Sequence, residues 1–310
     1  MAKGRILLTG ARGMVGRNLL DHPAASEWEF IAPASTELDL TDFDAVSTFM
    51  REVRPDVVVH AAGRVGGIQA NIANPVDFFW INTVLGRNVV IAARDAGVKR
   101  LLNLGSSCMY PRNAPNPLAE PQILQGELEP TNEGYALAKI ATQRLCAYVH
   151  QEDASFDYKT FVPCNLYGPY DKFDPAKSHL IPAIIHKVHM AREQGDSEIE
   201  IWGDGTARRE FMYAGDLADS IMMAVGKWDD TPALLNIGVG ADHSVNDYYA
   251  SVARVIGWQG TFVHDLSRPA GMKQKLLDVT RQTAWGWQPK VSLDEGIART
   301  YEFYLRKGLA

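Results

Sequence analysis

Residues 5–16 read Arg5-Ile6-Leu7-Leu8-Thr9-Gly10-Ala11-Arg12-Gly13-Met14-Val15-Gly16. A short apolar run enters a turn with glycine at every third position, and a helical pattern leaves it. Each glycine has work to do in such a turn. One permits the tight reversal, one lets backbone N–H groups approach a pyrophosphate, and one lets helix and strand pack closely. The N-terminus of the following helix offers unpaired donors and a partial positive charge to that anion. Gly10, Gly13 and Gly16, with Arg12, Met14 and Val15 between them, therefore read as a cradle for a dinucleotide.

The same rhythm continues outward. Apolar runs at 5–9, 28–32, 56–60, 100–104 and 159–163 alternate with helical periodicity at 14–21, 43–53, 75–96 and 132–150. Runs such as Val57-Val58-Val59 lack polar alternation, as strands buried on both faces do. Strand and helix in turn predict an α/β fold, a Rossmann-type doubly wound parallel sheet. After residue 163 the rhythm changes. Residues 165–179 read as a long loop. Helices are expected at 180–194, 214–225, 246–256 and 293–305, strands at 198–202 and 234–237, and a loop at 267–278. The expected division is a dinucleotide-binding domain over 1–163 and a smaller α/β substrate domain over 164–310, with one segment able to return to the first.

The chain has 310 residues, 46% hydrophobic and 22% charged, with a net charge of -6. That balance speaks against disorder, and its sign against nucleic acid or an anionic membrane as the main partner. No signal peptide is read in the opening residues, and no stretch is read as approaching the roughly 20 apolar residues of a membrane span. Three cysteines are too few for a disulfide scaffold, so a reducing, cytoplasmic setting is expected.

The second strand ends in neither an acid for a ribose hydroxyl nor a base for a 2′-phosphate. Arg12 in the turn, with Ser35 and Thr36, favours NADP(H) over NAD. Tyr135 and Lys139 stand at i and i+4, on one helix face. A nearby ammonium favours the phenolate, so a lowered tyrosine pKa is expected. Such a pair, following a strand end that carries Ser106, can pass a proton to or from a substrate C–OH or C=O.

Turn, serine and Tyr-x-x-x-Lys in this order resemble the extended short-chain dehydrogenase/reductases. Further runs resemble one family among them, the GDP-L-fucose synthases, over essentially the whole chain: Gly105-Ser106-Ser107-Cys108-Met109-Tyr110-Pro111, Asn165-Leu166-Tyr167-Gly168-Pro169, Ser178-His179-Leu180-Ile181-Pro182-Ala183, Trp202-Gly203-Asp204-Gly205 and Arg209-Glu210-Phe211. The resemblance implies epimerisation at C3 and C5 of GDP-4-keto-6-deoxy-D-mannose, then NADPH reduction at C4. It implies Cys108 and His179 as base and acid, Ser106 and Tyr135 on the C4 oxygen, and Lys139 on the nicotinamide ribose. For the cofactor it adds Asp39, Leu40, Ala61, Ala62, Leu104, Pro163, Asn165, Leu166 and His179. For the GDP-sugar it adds Ser107, Asn165, Lys187, Trp202, Arg209 and Lys275.

Three departures from the family pattern stand out. Lys187 replaces an arginine, Ser35 stands where an arginine usually reads the 2′-phosphate, and Gly271-Met272-Lys273-Gln274 replaces Gly-Thr-Pro-Arg. They leave open a 3,6-dideoxy or heptose substrate, or 3,5-epimerisation without net reduction. Cys146 reads as core, and Cys164 as packing at a strand end. His186 and His189 read as a solvated face and not as a metal site. The helices at 75–96 and 132–150 could pair with a second copy as a homodimer.

Overall fold

The computed structural model describes residues 2–174, 178–267 and 273–308. Its first half runs β1 (Arg5–Thr9), α1 (Met14–Leu20), β2 (Glu29–Ile31), α2 (Phe43–Val53), β3 (Val57–His60), α3 (Ile68–Ala73), α4 (Pro75–Asp95), β4 (Arg100–Leu104), α5 (Glu133–Glu152) and β5 (Asp157–Pro163). Then come β6 (Asn165–Tyr167), α6 (Leu180–Gln194), β7 (Glu198–Trp202), β8 (Arg208–Arg209), β9 (Phe211–Tyr213), α7 (Ala214–Gly226) and β10 (Leu234–Ile237). The chain closes with β11 (His243–Ser244), α8 (Val245–Ile256), β12 (Thr261–Asp265), β13 (Gln274–Lys275), α9 (Thr280–Trp285) and α10 (Leu293–Arg306).

Six parallel strands form the main sheet in the order β10-β5-β4-β3-β1-β2. Successive side chains of a strand point to opposite faces. Ile6, Leu8, Val57, Val59, Leu102 and Leu104 accordingly enter one core. Leu7, Val58 and Leu101 enter a second, with Val46, Met50, Val89, Val90 and Cys146 from the helices. Both faces are covered, which explains the lack of polar alternation in the strands. On the second face α4 lies close against α5. A Cβ built on Gly86 would stand 2.0 Å from Thr142 Oγ1, so glycine sets that approach.

A third core lies among α6, α8 and α10, with Ile181, Ile185, Val188, Tyr248, Val252, Ile297 and Tyr304. Three small sheets surround it: β7 with β12, β6 with β9, and β8 between β11 and β13. β10 returns from this half to the edge of the main sheet beside β5.

Several expectations need correction. Residues 165–179 are not one loop, because β6 opens the segment by pairing with β9. Nor is 267–278 all loop. Gln274 and Lys275 pair with Arg208 and Arg209, and Leu277 bridges to Leu118. These ladders are too short to show a period in the sequence. Gly271 and Met272 lie outside the described residues. α4 is long and apolar enough, by length and composition, to cross a membrane. It packs on α2 and α5, with Asn82 and Asn88 buried along it, while Val76, Phe79 and Trp80 stay exposed.

Candidate active site

A cavity of about 850 Å³ opens over the C-terminal ends of the main strands. That edge is where open α/β sheets bind ligands. Gly10, Arg12, Gly13, Met14 and Val15 line one end of it, with Pro33, Ala34, Ser35, Asp39 and Leu40. Gly10 has φ +76°, and a Cβ there would lie 2.6 Å from Ala62 N. A Cβ on Gly16 would stand 2.4 Å from Gly10 O, so Gly16 packs the turn and does not line the cavity. Gly13 caps α1 without a side-chain hydrogen bond, and the first turn carries no acidic residue. The N–H groups of that turn are therefore available to an anion, and the cradle fits a dinucleotide pyrophosphate. Two Thr41 hydrogen bonds hold the Asp39 carboxyl below the usual carboxylate range.

Ala61, Ala62, Leu104, Pro163, Asn165 and Leu166 also line it, as do Ser106, Ser107, Cys108, Tyr135, Lys139 and His179. Ser106 Oγ accepts the Cys108 N–H at 3.2 Å, folding residues 107–109 into a tight turn after β4. That turn holds the Cys108 backbone on the serine hydroxyl. Tyr135 and Lys139 reach the cavity from the first turns of α5. Lys139 Nζ donates to the Leu104 carbonyl at 2.9 Å and sits 5.8 Å from the Tyr135 ring centroid. Burial lowers this ammonium to about 8.

The expected lowering of Tyr135 is not what the geometry gives. Burial pushes its phenol up, the Cys108 charge adds to that, and hydrogen bonding with Ser106 opposes both. Desolvation decides the direction, and one donor of the Lys139 ammonium goes to the Leu104 carbonyl. The phenol is thus held as an acid. His179 caps α6 through its backbone, leaving its ring to the cavity. Burial, then Lys172, lowers its imidazole below the ordinary value. The imidazolium of such a ring is a stronger acid than a solvated one.

Of the residues expected around GDP, Asn165 lines this cavity, whereas Lys187, Trp202, Arg209 and Lys275 do not. Lys187 Nζ donates to the Glu200 carbonyl at 2.5 Å, and Trp202 Nε1 donates to Glu200 Oε1 at 3.1 Å, so the two are neighbours. Trp202 is 56% exposed and is not core. Burial lowers the Arg209 guanidinium, which donates to the Arg208 carbonyl at 2.8 Å. Strand register sets Arg209 opposite Lys275.

Lys275 itself turns towards the first half. Its Nζ lies 3.6 Å from Cys108 Sγ, and Asn132 Nδ2 donates to the same sulfur at 3.2 Å. Asn132 lines the cavity and was not singled out in the sequence, although it begins the Tyr135 helix. Arg64, Asn71 and Phe78 are further lining residues without a motif to announce them. Glu210 holds this junction. Its buried carboxyl accepts the N–H groups of Val239, Gly240 and Leu277, and its carbonyl accepts Asn165 Nδ2. Burial raises that carboxyl to about 7.

Cys146 is buried core, and Cys164 is buried while also lining the cavity. His186 and His189 are not a solvated face. Their Nδ1 atoms lie 2.9 Å from the hydroxyls of Tyr304 and Tyr301, where α6 meets α10. Among the described residues no three His, Cys, Asp or Glu side chains group as metal ligands do.

Residues 6–238 match the NAD dependent epimerase/dehydratase family. The chain belongs to that family. Within it, this epimerase/dehydratase is similar to the GDP-L-fucose synthase of Azorhizobium caulinodans, 53% identical over 306 residues and 98% of each chain. It is also similar to the GDP-L-colitose synthase of Yersinia pseudotuberculosis, 52% identical over 303 residues and 98% of each. The solved GDP-mannoheptose C4 reductase of Campylobacter jejuni with NADP bound superposes with a TM-score of 0.87 at 30% identity. It covers 97% of this chain and 98% of that one. As in the rest of the family, the cofactor of this epimerase/dehydratase is a nicotinamide dinucleotide.

Proposed function

We propose that this chain epimerises C3 and C5 of GDP-4-keto-6-deoxy-D-mannose and reduces its C4 ketone with NADPH, yielding GDP-L-fucose. The observation that carries the reading is that Ser106, Cys108, Tyr135, Lys139 and His179 all line the one dinucleotide cavity. The identity to a GDP-L-fucose synthase supports it.

Hydrogens on carbons beside a ketone are acidic, because the electron pair left behind delocalises onto the oxygen. Cys108 Sγ takes such a proton, and the charge that grows on the C4 oxygen is met by the Ser106 and Tyr135 hydroxyls. His179 returns a proton from the opposite face, inverting the carbon. NADPH, when bound, supplies a hydride to C4. Tyr135 gives its proton to the C4 oxygen as that happens, consistent with a phenol held protonated by burial. Lys139 holds the ribose hydroxyls. Lys187 and Arg209 meet the diphosphate, with Trp202 and Asn165 beside the nucleotide. Arg12 and Ser35 support NADP(H) over NAD. The protein acts in a reducing, cytoplasmic setting as a homodimer. Val76, Phe79 and Trp80 of α4, exposed at 73%, 43% and 62%, supply an apolar face for the second copy.

Incubation with GDP-4-keto-6-deoxy-D-mannose and NADPH, followed by NMR of the product, tests the reading. GDP-L-fucose with stoichiometric NADPH oxidation is expected, and Tyr135→Phe should slow that oxidation by orders of magnitude. Inverted ketosugar without NADPH oxidation would make the protein an epimerase alone. Turnover only of a GDP-linked 3,6-dideoxy-4-ketosugar would favour the second reading, which the identity to a GDP-L-colitose synthase supports.

A further inference from the structure

Asparagine is among the best residues for capping a helix, because its side-chain oxygen accepts an N–H of the first turn. Asn132 stands at the cap of α5, with φ −142° and ψ 21°, and its side chain makes no cap hydrogen bond. Its Nδ2 instead donates to Cys108 Sγ at 3.2 Å, and its Oδ1 is buried without a partner. The helix gives up a cap and leaves an acceptor unmet to hold one sulfur. Both costs are of the kind that folding alone would not select.

The second group on that sulfur comes from far along the chain. Lys275, 167 residues from Cys108, sets its Nζ 3.6 Å from Sγ. Its strand is fixed on both sides. Leu276 N donates to Asn116 Oδ1, Leu118 N donates to the Leu276 carbonyl, and Leu277 N donates to Glu210 Oε2, each at 2.8 Å. The ammonium is thus carried to the sulfur by a clamped backbone.

We infer that Lys275 and Asn132 are positioning residues for Cys108, together keeping its sulfur aimed at the proton it takes. A thiolate accepts both hydrogen bonds, whereas a thiol has its own hydrogen to place among the same groups. Nearby, Ser106 Oγ accepts the Cys108 backbone N–H, and the Tyr135 phenol is close enough to feel the cysteine's charge. Among the described residues Lys275 is the cation that bonds the sulfur, and this assignment differs from contact with the GDP diphosphate. The inference rests on the reading of Cys108 as the base.

The experiment reads the sulfur directly, without any sugar. The rate of iodoacetamide alkylation is measured against pH on the full chain, with mass spectrometry of the Cys108 peptide. Cys146 and Cys164 are 1% and 5% exposed, so Cys108 is the thiol in reach. Lys275→Met should slow alkylation at pH 7 by about tenfold and move the rate profile to higher pH. Lys275→Arg should restore the rate to within about threefold. Asn132→Ser offers α5 a new cap and should still slow alkylation about threefold, without lowering thermal stability. If Lys275→Met does not fold, Lys275→Gln, which keeps a donor and loses the charge, is read in its place. An unchanged profile in the folded Lys275 variant overturns the inference. So does a loss that Lys275→Arg does not restore. A diphosphate role predicts that unchanged profile together with a raised substrate KM. Should Cys108→Ser retain C3 and C5 exchange, the reading of Cys108 as base fails, while the alkylation result still decides the pairing.

Discussion

Lys139 Nζ donates to the Leu104 carbonyl at 2.9 Å, tying the Tyr135 helix to the end of β4. The ammonium is buried in doing so and is lowered to about 8. Between that value and the 10.5 of an unfolded lysine, the unfolded chain holds a proton that the folded chain has shed. Stability therefore rises with pH through this window. Below it, the buried charge costs the fold about 3 kcal/mol. Urea midpoints of the protein without added nucleotide should climb from pH 8 to 10, and Lys139→Met should flatten the climb. An equal climb in the variant would assign it to other groups.

Arg12 is exposed at the dinucleotide end of the cavity, on the same side as Ser35. A charge-assisted contact to a 2′-phosphate contributes about 1.5–3 kcal/mol. Arg12→Ala should then raise the KM for NADPH more than tenfold and spare NADH. Steady-state kinetics with both cofactors check this, and equal use of both by the unaltered protein would refute it.

Cys108 and His179 line the same cavity as Ser106 and Tyr135. Cys108→Ser removes the thiolate, and His179→Asn removes the proton source. Either should stop solvent deuterium entering C3 and C5 while leaving NADPH affinity within a few-fold. The uninverted ketone can still accept hydride, so NMR should find GDP-6-deoxy sugars of the D series. Normal exchange in one variant would remove that residue from the mechanism.

Trp80 is 62% exposed, with Val76 and Phe79 beside it on the same face of α4. Trp80→Glu places a charge in that face, which an apolar interface does not tolerate. Light scattering should give a two-chain mass for the protein and a one-chain mass for the variant, with the helical signal unchanged. A one-chain mass for the unaltered protein would exclude pairing through α4.

The glycine turn, the five unbroken strands and the Tyr135–Lys139 spacing are local patterns, each readable within a dozen residues. They carry the α/β class and most of the cavity, since every strand end in such a sheet opens on one edge. Short ladders such as Gln274–Lys275 on Arg208–Arg209 carry no period, and so read as loop. The direction of the Tyr135 shift was likewise beyond the i, i+4 rule. That rule counts the lysine charge and leaves out the water removed from the phenol. His186 and His189 look solvated until α10 brings Tyr301 and Tyr304 against them. Cys108 stands out in the sequence through its motif, whereas its company on Asn132 and Lys275 depends on chain segments 24 and 167 residues away. Burial and long-range contact belong to the packed whole, and no window of sequence contains them.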